Sequence, residues 1–385
     1  MSPATSYQLI ILGSGAAEFD ARLEADLRAR LRDIGDHLED NLRVLRPAQV
    51  SSLTRTMPAV AVYFGGDGSA DVDAVDQLLR HSIPILPVVD DLEGYAAKTP
   101  SSLHGVNGTA IDAGTADLSA LVSVVLENLS LLRRTRRLFL SYFRKDSTPV
   151  AHQLRVAFDD AGYDTFLDTS SVPKGDDFQS VLTHRLLDSD VMVVLDTEHF
   201  LDSRWTQFEL AEASAMGVGL LRVVWPGVDR VRKAELAEHV YLDRSHFVGD
   251  QLTTDAVRMI AIAAERLRAR CIGARHTNLV EEFCDAAAQL GAKTAVQPGR
   301  YVLALMPDGR RIAAIPAVGV PDARHYHEAS ARFPAGGDLA DEAVLLYNDS
   351  GMLASWRQFL NWLDEHLPVR GMRVTETATR LGEGR

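Results

Sequence analysis

The sequence predicts an α/β protein in which parallel sheets are covered by helices on both faces. Short apolar runs with the character of buried strands occur at residues 7–12, 59–64 and 190–196. Stretches with apolar residues at helical spacing lie between them, for example at Leu23 and Leu27. Because parallel strands need crossover helices that cover the sheet, this alternation is typical of a parallel sheet.

Three domains are predicted, because 385 residues exceed the length that one hydrophobic core usually serves. We expect them at residues 1–134, 135–273 and 274–385. Residues 1–134 contain predicted strands at 7–12, 59–64 and 83–89 and predicted helices at 71–80 and 117–134.

Residues 135–273 repeat the order of elements of the first domain. Predicted strands lie at 138–142, 163–167, 190–196 and 218–224, with a helix that has Pro149 in its first turn, one from Phe178 and one around Glu209. The repetition predicts two copies of one α/β unit. In the first copy Val72 takes the place of Trp205 and Asp76 that of Glu209, so we expect the first domain to be non-catalytic.

Charge and composition exclude several classes of protein. The formal net charge of −13, from 40 basic and 53 acidic residues, disfavours electrostatic binding of nucleic acid. No apolar run approaches the ~18 residues of a membrane helix, and the first residues lack a signal-peptide pattern. Only Cys271 and Cys284 are present, without metal-type spacing. We therefore expect a soluble, cytoplasmic protein with no metal.

Two further segments leave alternatives open. Gly13, Ser14 and Gly15 follow the first strand, which fits either a phosphate-binding loop or a plain turn between strand and helix. His325 to Glu328 could offer metal ligands or a solvated surface. The C-terminal domain is predicted as a small α/β domain that could sense a trigger, with helices at 277–290 and 355–366, a hairpin at 301–306 and 311–316, and a strand at 344–347.

The segment from Ser203 to Leu210 holds the candidate catalytic residue. It follows the apolar strand at 190–196, and Trp205 and Glu209 are four residues apart, so they share one face of a helix. Open α/β sheets bind ligands at this position, beyond the carboxyl ends of the strands.

Three motifs in this order resemble those of Toll/interleukin-1 receptor (TIR) domains. Leu138 to Tyr142 with Asp146 resembles the first signature, and Asp168 to Gly175 resembles the BB loop. Ser203, Trp205, Glu209 and Leu210 resemble the S-x-W-x-x-x-E-L signature of bacterial and other NAD-consuming TIR domains. The resemblance covers the central third of the chain. It implies a flavodoxin-like parallel sheet for residues 135–273, preceded by a TIR-like α/β domain.

The resemblance also implies an activity and its residues. Glu209 would be the catalytic carboxylate of an NAD+ glycohydrolase or ADP-ribose cyclase, and NAD would be substrate rather than cofactor. Trp205 would stack on a planar ring. The dinucleotide would be bound by Ser141, Tyr142, Phe143, Arg144 and Asp168, with Lys174 and the BB loop closing over it. Phe143 departs from the small residue that the family often has there.

One acid is enough for this chemistry. Glycosidases use two carboxylates because a poor leaving group must be protonated. The nicotinamide of NAD is a cationic pyridinium that leaves as a neutral molecule, so one carboxylate that stabilises the sugar cation suffices. Water as acceptor gives ADP-ribose, whereas an adenine nitrogen gives a cyclic product.

Structural roles are the alternative for the same residues. Thr206 and Glu209 also fit a capping box, Trp205 could pack a helix on the sheet, and Asp168 could fix a turn. Two functions follow. The first is an NAD-consuming enzyme of bacterial, anti-phage immunity that an unknown signal or partner activates through self-association of TIR domains. The second is a non-catalytic TIR adaptor that works through the same association.

Overall fold

A computed structural model describes most of the chain. The described residues are 7–34, 38–54, 57–111, 117–129, 131–167, 178–200, 212–228, 237–297, 301–334 and 339–383. The chain divides into two compact units, Met1–Arg134 and Thr135–Arg385. We call them the first and the second unit.

The first unit is a five-stranded parallel sheet with helices. Its strands are β1 (Tyr7–Leu12), β2 (Leu42–Leu45), β3 (Ala59–Phe64), β4 (Ile85–Val89) and β5 (Thr109–Ala110), and its helices are α1 (Ala16–Ile34), α2 (Val72–Arg80), α3 (Tyr95–Lys98) and α4 (Ser119–Asn128). The strand order is β2-β1-β3-β4-β5, and all pairs are parallel. This is the flavodoxin-like order.

Burial explains why these elements form. All residues of β1 and β3 are buried, as expected for central strands of a sheet covered on both faces. In α1, Leu23, Leu27 and Leu31 lie on one face and are fully buried. The predicted strands and the helix between them are therefore confirmed.

The second unit contains a parallel sheet of the same topology, which we call the central sheet. Its strands are β6 (Arg136–Tyr142), β7 (Tyr163–Leu167), β8 (Val191–Asp196), β9 (Gly219–Val224) and β10 (Glu238–Tyr241), and its helices are α5 (Arg144–Asp160), α6 (Phe178–Asp188) and α7 (Thr254–Gln289). A short hairpin, β11 (Phe247–Val248) with β12 (Gln251–Leu252), precedes α7. The order β10-β9-β8-β6-β7 matches that of the first unit strand for strand. The flavodoxin-like sheet and the preceding α/β unit of the same type are confirmed.

Different helices pack on the two faces of the central sheet. Alternate residues of β8 point to opposite faces, so that Val193 and Met192 belong to separate cores. Helices α5 and α7 cover the face of Val193. On the other face, α6 packs together with Phe200, which directly precedes residues 201–211, and with Ala213, the second residue after them.

A third sheet completes the second unit. Its strands are β13 (Lys293–Gln297), β14 (Tyr301–Leu305), β15 (Arg311–Pro316), β16 (Glu342–Tyr347) and β17 (Arg370–Arg373), and its helices are α8 (Ala323–Arg332), α9 (Ala354–His366) and α10 (Thr377–Gly382). The pairs β13–β14 and β14–β15 are antiparallel, and the remaining pairs are parallel. We call residues 293–383 the C-terminal module.

Several elements differ from the sequence prediction. The helix expected to extend to residue 134 ends at Asn128. The backbone N–H groups of Leu131 and Leu132 both donate to the Leu126 carbonyl, which departs from the helical pattern, and both leucines are buried. The helix expected at 277–290 is the second half of the 36-residue α7, which runs through residues 273 and 274. The domain boundary placed there remains a prediction. Within the described ranges, no helix has the length and apolar character to cross a membrane.

The segment from His325 to Glu328 is exposed to solvent at His327 and Glu328, as the solvated-surface interpretation expects, but not at Tyr326. It lies in α8, where Tyr326 is fully buried and donates a hydrogen bond to Asp364 at 2.8 Å. His325 accepts from the backbone N–H of Asp322 at 3.2 Å and so completes a capping box. Among the residues that the structure describes, no group of three potential ligands could hold a metal ion.

Candidate active site at the carboxyl edge of the central sheet

The structure describes only part of the predicted site. Ser141, Tyr142, Phe143 and Arg144 are described, at the end of β6 and the start of α5. The other predicted site residues, Asp168, Lys174, Trp205 and Glu209, lie outside the described residues. The strands that lead to them are described, so the position of the carboxyl edge is defined. Their roles remain predictions.

The end of β6 directs neighbouring side chains to opposite faces of the sheet. Ser141 is buried and lies beside Val194 of β8 in the strand register. Tyr142 packs on the core covered by α5 and α7, and Phe143 packs on the opposite core. Arg144 is exposed at the start of α5. Of the four, Arg144 is therefore the most accessible to a ligand at this edge.

Hydrogen bonds fix the loop between β6 and α5. The carbonyl oxygen of Phe143 accepts from the N–H of Asp146 at 3.1 Å and from the Ser147 hydroxyl at 3.1 Å. Ser147 has non-helical φ and ψ of −138° and 16°, so α5 is kinked there, two residues before Pro149. This agrees with the predicted helix that has Pro149 in its first turn, because the regular part of α5 follows Ser147.

An aspartate–histidine pair joins two loops of the edge. Oδ2 of Asp146, after β6, lies 3.1 Å from Nδ1 of His199, after β8. The His199 ring also lies beside the Phe143 ring, with centroids 6.3 Å apart. The resemblance implied a role in binding for the residues after β6, but the pair of Asp146 with His199 was not predicted. Only the strand order brings these residues together, since they are 53 positions apart in the chain.

A buried ion pair lies beneath the loop that follows β8. Asp196, the last residue of β8, is fully buried and pairs with Arg222 of β9, which is 5% exposed. Burial is the main cause that lowers the pKa of His239 on β10, and the positive charge of Arg222 lowers it further. The sequence shows a single charged residue in each of these two apolar strands, which singles out both residues but not their pairing.

Two polar atoms at this position lack hydrogen bonds. Oδ1 of Asp196 and Oγ1 of Thr197 are buried, and neither has a hydrogen-bond partner in the described structure. Buried polar atoms without partners are rare and cost stability. The backbone here is held, since Trp225 donates its N–H to the Asp196 carbonyl at 3.0 Å. The end of β8 therefore combines a fixed backbone with unused hydrogen-bonding capacity.

The opposite, amino edge of the sheet carries a second buried network that has a structural role. Arg268 of α7 is fully buried, and its Nε donates to Oδ2 of Asp190 at 3.0 Å. Its guanidinium also reaches Glu265 at 3.3 Å, which in turn accepts from the Tyr163 hydroxyl. Burial, together with the charge of Glu265, raises the pKa of Tyr163 well above its usual value. The network fixes α7 to the sheet, far from the carboxyl edge.

Comparisons with known proteins address the central part of the chain. The family model described as TIR domain matches residues 138–259. Among solved structures, the chain is similar to the TIR domains of the activated Roq1 resistosome that recognises the pathogen effector XopQ, with 15% identity over 36% of this chain and 84% of that chain and a TM-score of 0.24.

A second solved structure covers more of the chain. This is the C-terminal domain of glucosamine-fructose-6-phosphate aminotransferase from Francisella tularensis, with 11% identity over 70% of this chain and 86% of that chain and a TM-score of 0.24. At these TM-scores neither likeness carries an argument about function. No curated protein matches the sequence.

Proposed function

We propose that this chain, whose residues 138–259 are a TIR domain, is an NAD+ glycohydrolase or ADP-ribose cyclase with Glu209 as its catalytic carboxylate. One observation carries the proposal. The residues that match the TIR family include the signature with Trp205 and Glu209. Phe200 before this segment and Ala213 after it are both buried on one face of the central sheet.

The chemistry needs a carboxylate and a site that excludes water. Departure of nicotinamide leaves positive charge on the ribose, and a fixed anion stabilises that charge most strongly where the local dielectric is low. The buried ends of β8 and β9 support such an environment at the carboxyl edge. The nicotinamide needs no proton to leave, so a second acid is not required.

Nicotinamide release tests the role of Glu209. We expect release from the wild type and a loss of at least about 100-fold in Glu209→Gln and Glu209→Ala, because an electrostatic contribution of this kind typically supplies a few kcal/mol. Glu238→Gln is the matched control, since it removes the same charge from an ion pair with Arg270 at the opposite end of the sheet. Equal release from all variants would remove Glu209 from the mechanism.

Self-association is the proposed route of activation. The resemblance to TIR domains of bacterial anti-phage immunity supports an enzyme that is idle as a single molecule and active once TIR domains assemble. We therefore expect specific activity to rise with protein concentration, in parallel with oligomer formation measured by light scattering. Product analysis in the same samples distinguishes ADP-ribose from a cyclic isomer. An assembled wild type that releases no nicotinamide would instead indicate a non-catalytic adaptor.

A further inference from the structure

The first unit contains a cavity at the carboxyl edge of its own sheet. The cavity has a volume of about 210 Å³ and is lined by residues that follow β1, β3, β4 and β5. The chain leaves β1 and β3 in opposite directions across the sheet, so the cavity adjoins the topological switch point. In doubly wound sheets this is the usual position of a ligand.

The glycine loops of this edge do not form a phosphate site. The N–H of Gly13 donates to Oδ2 of Asp71 at 2.8 Å, and that of Gly15 donates to the Phe64 carbonyl at 3.2 Å. The N–H groups of Gly65 and Gly66 are used in the same way by backbone carbonyls, at 2.7 and 3.1 Å. A phosphate would need such N–H groups free and pointing outward.

Close packing between two loops explains why these positions are glycine. The loop after β1 touches the loop after β3, and a Cβ on Gly13 would lie 2.1 Å from the Phe64 carbonyl oxygen. A Cβ on Gly15 would lie 2.5 Å from the Gly65 carbonyl oxygen. Gly13 also has a φ of +93°, which favours glycine. The loop is therefore the plain turn between strand and helix that was one of the two interpretations of the sequence.

The charges near the cavity also disfavour an anion. Asp67, Asp71 and Asp90 lie on the loops of this edge, and Lys98 is the one basic residue among those that line the cavity. Burial first, and then the charges of Asp71 and Asp67, raise the pKa of Tyr63 to about 12. The local potential is thus negative, and a phosphate or a dinucleotide would be repelled.

The walls of the cavity suit a flat, uncharged ring. Phe19 and Phe64 are stacked, with centroids 5.4 Å apart and planes at 14°, and both line the cavity. Val89 and Ile111 add aliphatic surface to the lining. Aromatic and aliphatic walls stabilise a planar ring by burial and stacking. The volume lies below the roughly 300–1,000 Å³ of pockets for drug-sized ligands, which fits one ring system.

The rim of the cavity offers a hydrogen-bond donor and a hydrogen-bond acceptor. Asp90 and Lys98 form an ion pair and both line the cavity. The hydrogen bond from Lys98 lowers the pKa of Asp90. An ammonium donor beside a carboxylate acceptor matches an exocyclic amide, or an amine next to a ring nitrogen.

We propose that this cavity binds a small, planar, uncharged heteroaromatic ring with an amide or amine substituent, the chemistry shared by nicotinamide and a purine base. The site is separate from the TIR domain, and the proposal does not depend on cleavage of NAD. If NAD is cleaved, such a site would let the first unit respond to released nicotinamide or to an adenine group.

Calorimetric titration of the full chain in the Glu209→Gln background tests this proposal without turnover. The probes are nicotinamide, adenine and AMP. For single rings of this size we expect dissociation constants on the order of 0.1–1 mM. Saturable binding of one of the two compounds, nicotinamide or adenine, identifies which of them supplies the ring. If AMP bound more than about tenfold tighter than adenine, the exclusion of phosphate would be wrong.

Two variants and a control locate the binding. Ile111→Trp fills the cavity and should weaken binding by at least about tenfold, and Lys98→Met removes the donor at the rim and should weaken it about threefold to tenfold. Arg32→Met is the matched control, because it breaks a surface ion pair with Glu39 away from the cavity. Unchanged affinity in Lys98→Met and Ile111→Trp, or no saturable binding of any ring to the parent protein, would overturn the proposal. Lys98→Met changes a half-buried side chain at the rim, so it remains informative if Ile111→Trp does not fold.

Discussion

The backbone N–H of Val320 donates a hydrogen bond of 3.0 Å to Oδ1 of Asp188, and both residues are buried. Asp188 ends α6 of the TIR domain, and Val320 follows β15 of the C-terminal module. Leu187 lies in the apolar core of that module. The module therefore holds the end of the helix that follows residues 168–177, the segment with the predicted BB loop.

We expect Asp188→Ala to destabilise the second unit by about 2–4 kcal/mol. The variant leaves the buried N–H of Val320 without its acceptor and takes the ion-pair partner from Arg137. Urea denaturation followed by tryptophan fluorescence measures this unit alone, because all four tryptophans lie beyond residue 134. Asp255→Ala removes an exposed pair with Arg258 and should shift stability by less than about 1 kcal/mol. Similar losses in both variants would contradict a specific role for Asp188.

A second contact between α6 and the C-terminal module, made by His184, makes the second unit sensitive to acid. Burial first, and then the charges of Arg185 and Arg137, lower the pKa of His184 to about 4. Nδ1 of His184 accepts from the Leu353 N–H at 3.3 Å, and the ring lies beside Trp356. The unfolded chain takes up the proton near the ordinary pKa of 6.5, whereas the folded protein does so only near 4.

The stabilising contribution of neutral His184 is therefore complete above about pH 6.5 and decreases as the pH falls towards 4. We expect this group to account for about 1–2 kcal/mol of the loss, because the ring keeps some contact with solvent. Denaturation curves at pH 7 and pH 5 measure it. His184→Gln keeps a hydrogen-bond acceptor without the titration and should reduce the pH dependence. An identical pH profile in the variant would show that other groups cause it.

The buried pair of Asp196 and Arg222 can be tested by its effect on stability. Arg222→Met leaves the fully buried Asp196 carboxylate without its ion-pair partner, and we expect a loss of about 3–5 kcal/mol. Asp196→Leu combined with Arg222→Met removes both charges and should recover part of that loss. Urea denaturation of the single and double variants gives the coupling energy. Additive losses would mean that the two side chains do not act as a pair.

Central elements of the fold could be predicted because their sequence patterns are local. The apolar runs of β1, β3 and β8 become fully buried strands, as their composition indicates. The edge strand β10, with residues EHVY, was missed because it is short and Tyr241 is 42% exposed. Strands of this kind are fixed by pairing with a neighbour, here β9, and not by their own pattern.

The site could be predicted as a region but not as a set of contacts. The resemblance to TIR domains indicated the loops after β6 and β8, and the strand order places both loops at one edge. The pair of Asp196 with Arg222 depends on the register of β8 and β9, where Arg222 lies opposite Val194. A register of this kind is a property of the folded sheet, and no local pattern in either strand specifies it.

The pair of Asp146 with His199 can be tested for a role in the site independently of a role in stability. The side chains are 25% and 56% exposed, and an exposed pair of this kind contributes at most about 1 kcal/mol. The two residues nevertheless join the loops after β6 and β8. If these loops hold the dinucleotide, His199→Ala should reduce nicotinamide release about threefold to tenfold through a higher KM, with little change in Tm.

A second aspartate–histidine pair provides the control for this last variant. His325 lies 2.8 Å from Asp322 in the C-terminal module, where Asp322 is the N-cap of α8 and His325 completes the capping box. His325→Ala should lower Tm, because it removes the acceptor for the Asp322 N–H, and should leave KM unchanged. The opposite pattern, a lower Tm without a change of KM in His199→Ala, would assign the pair at the carboxyl edge to stability alone. The comparison works because both variants remove an imidazole from a partly exposed carboxylate, and only one of them lies between the loops after β6 and β8.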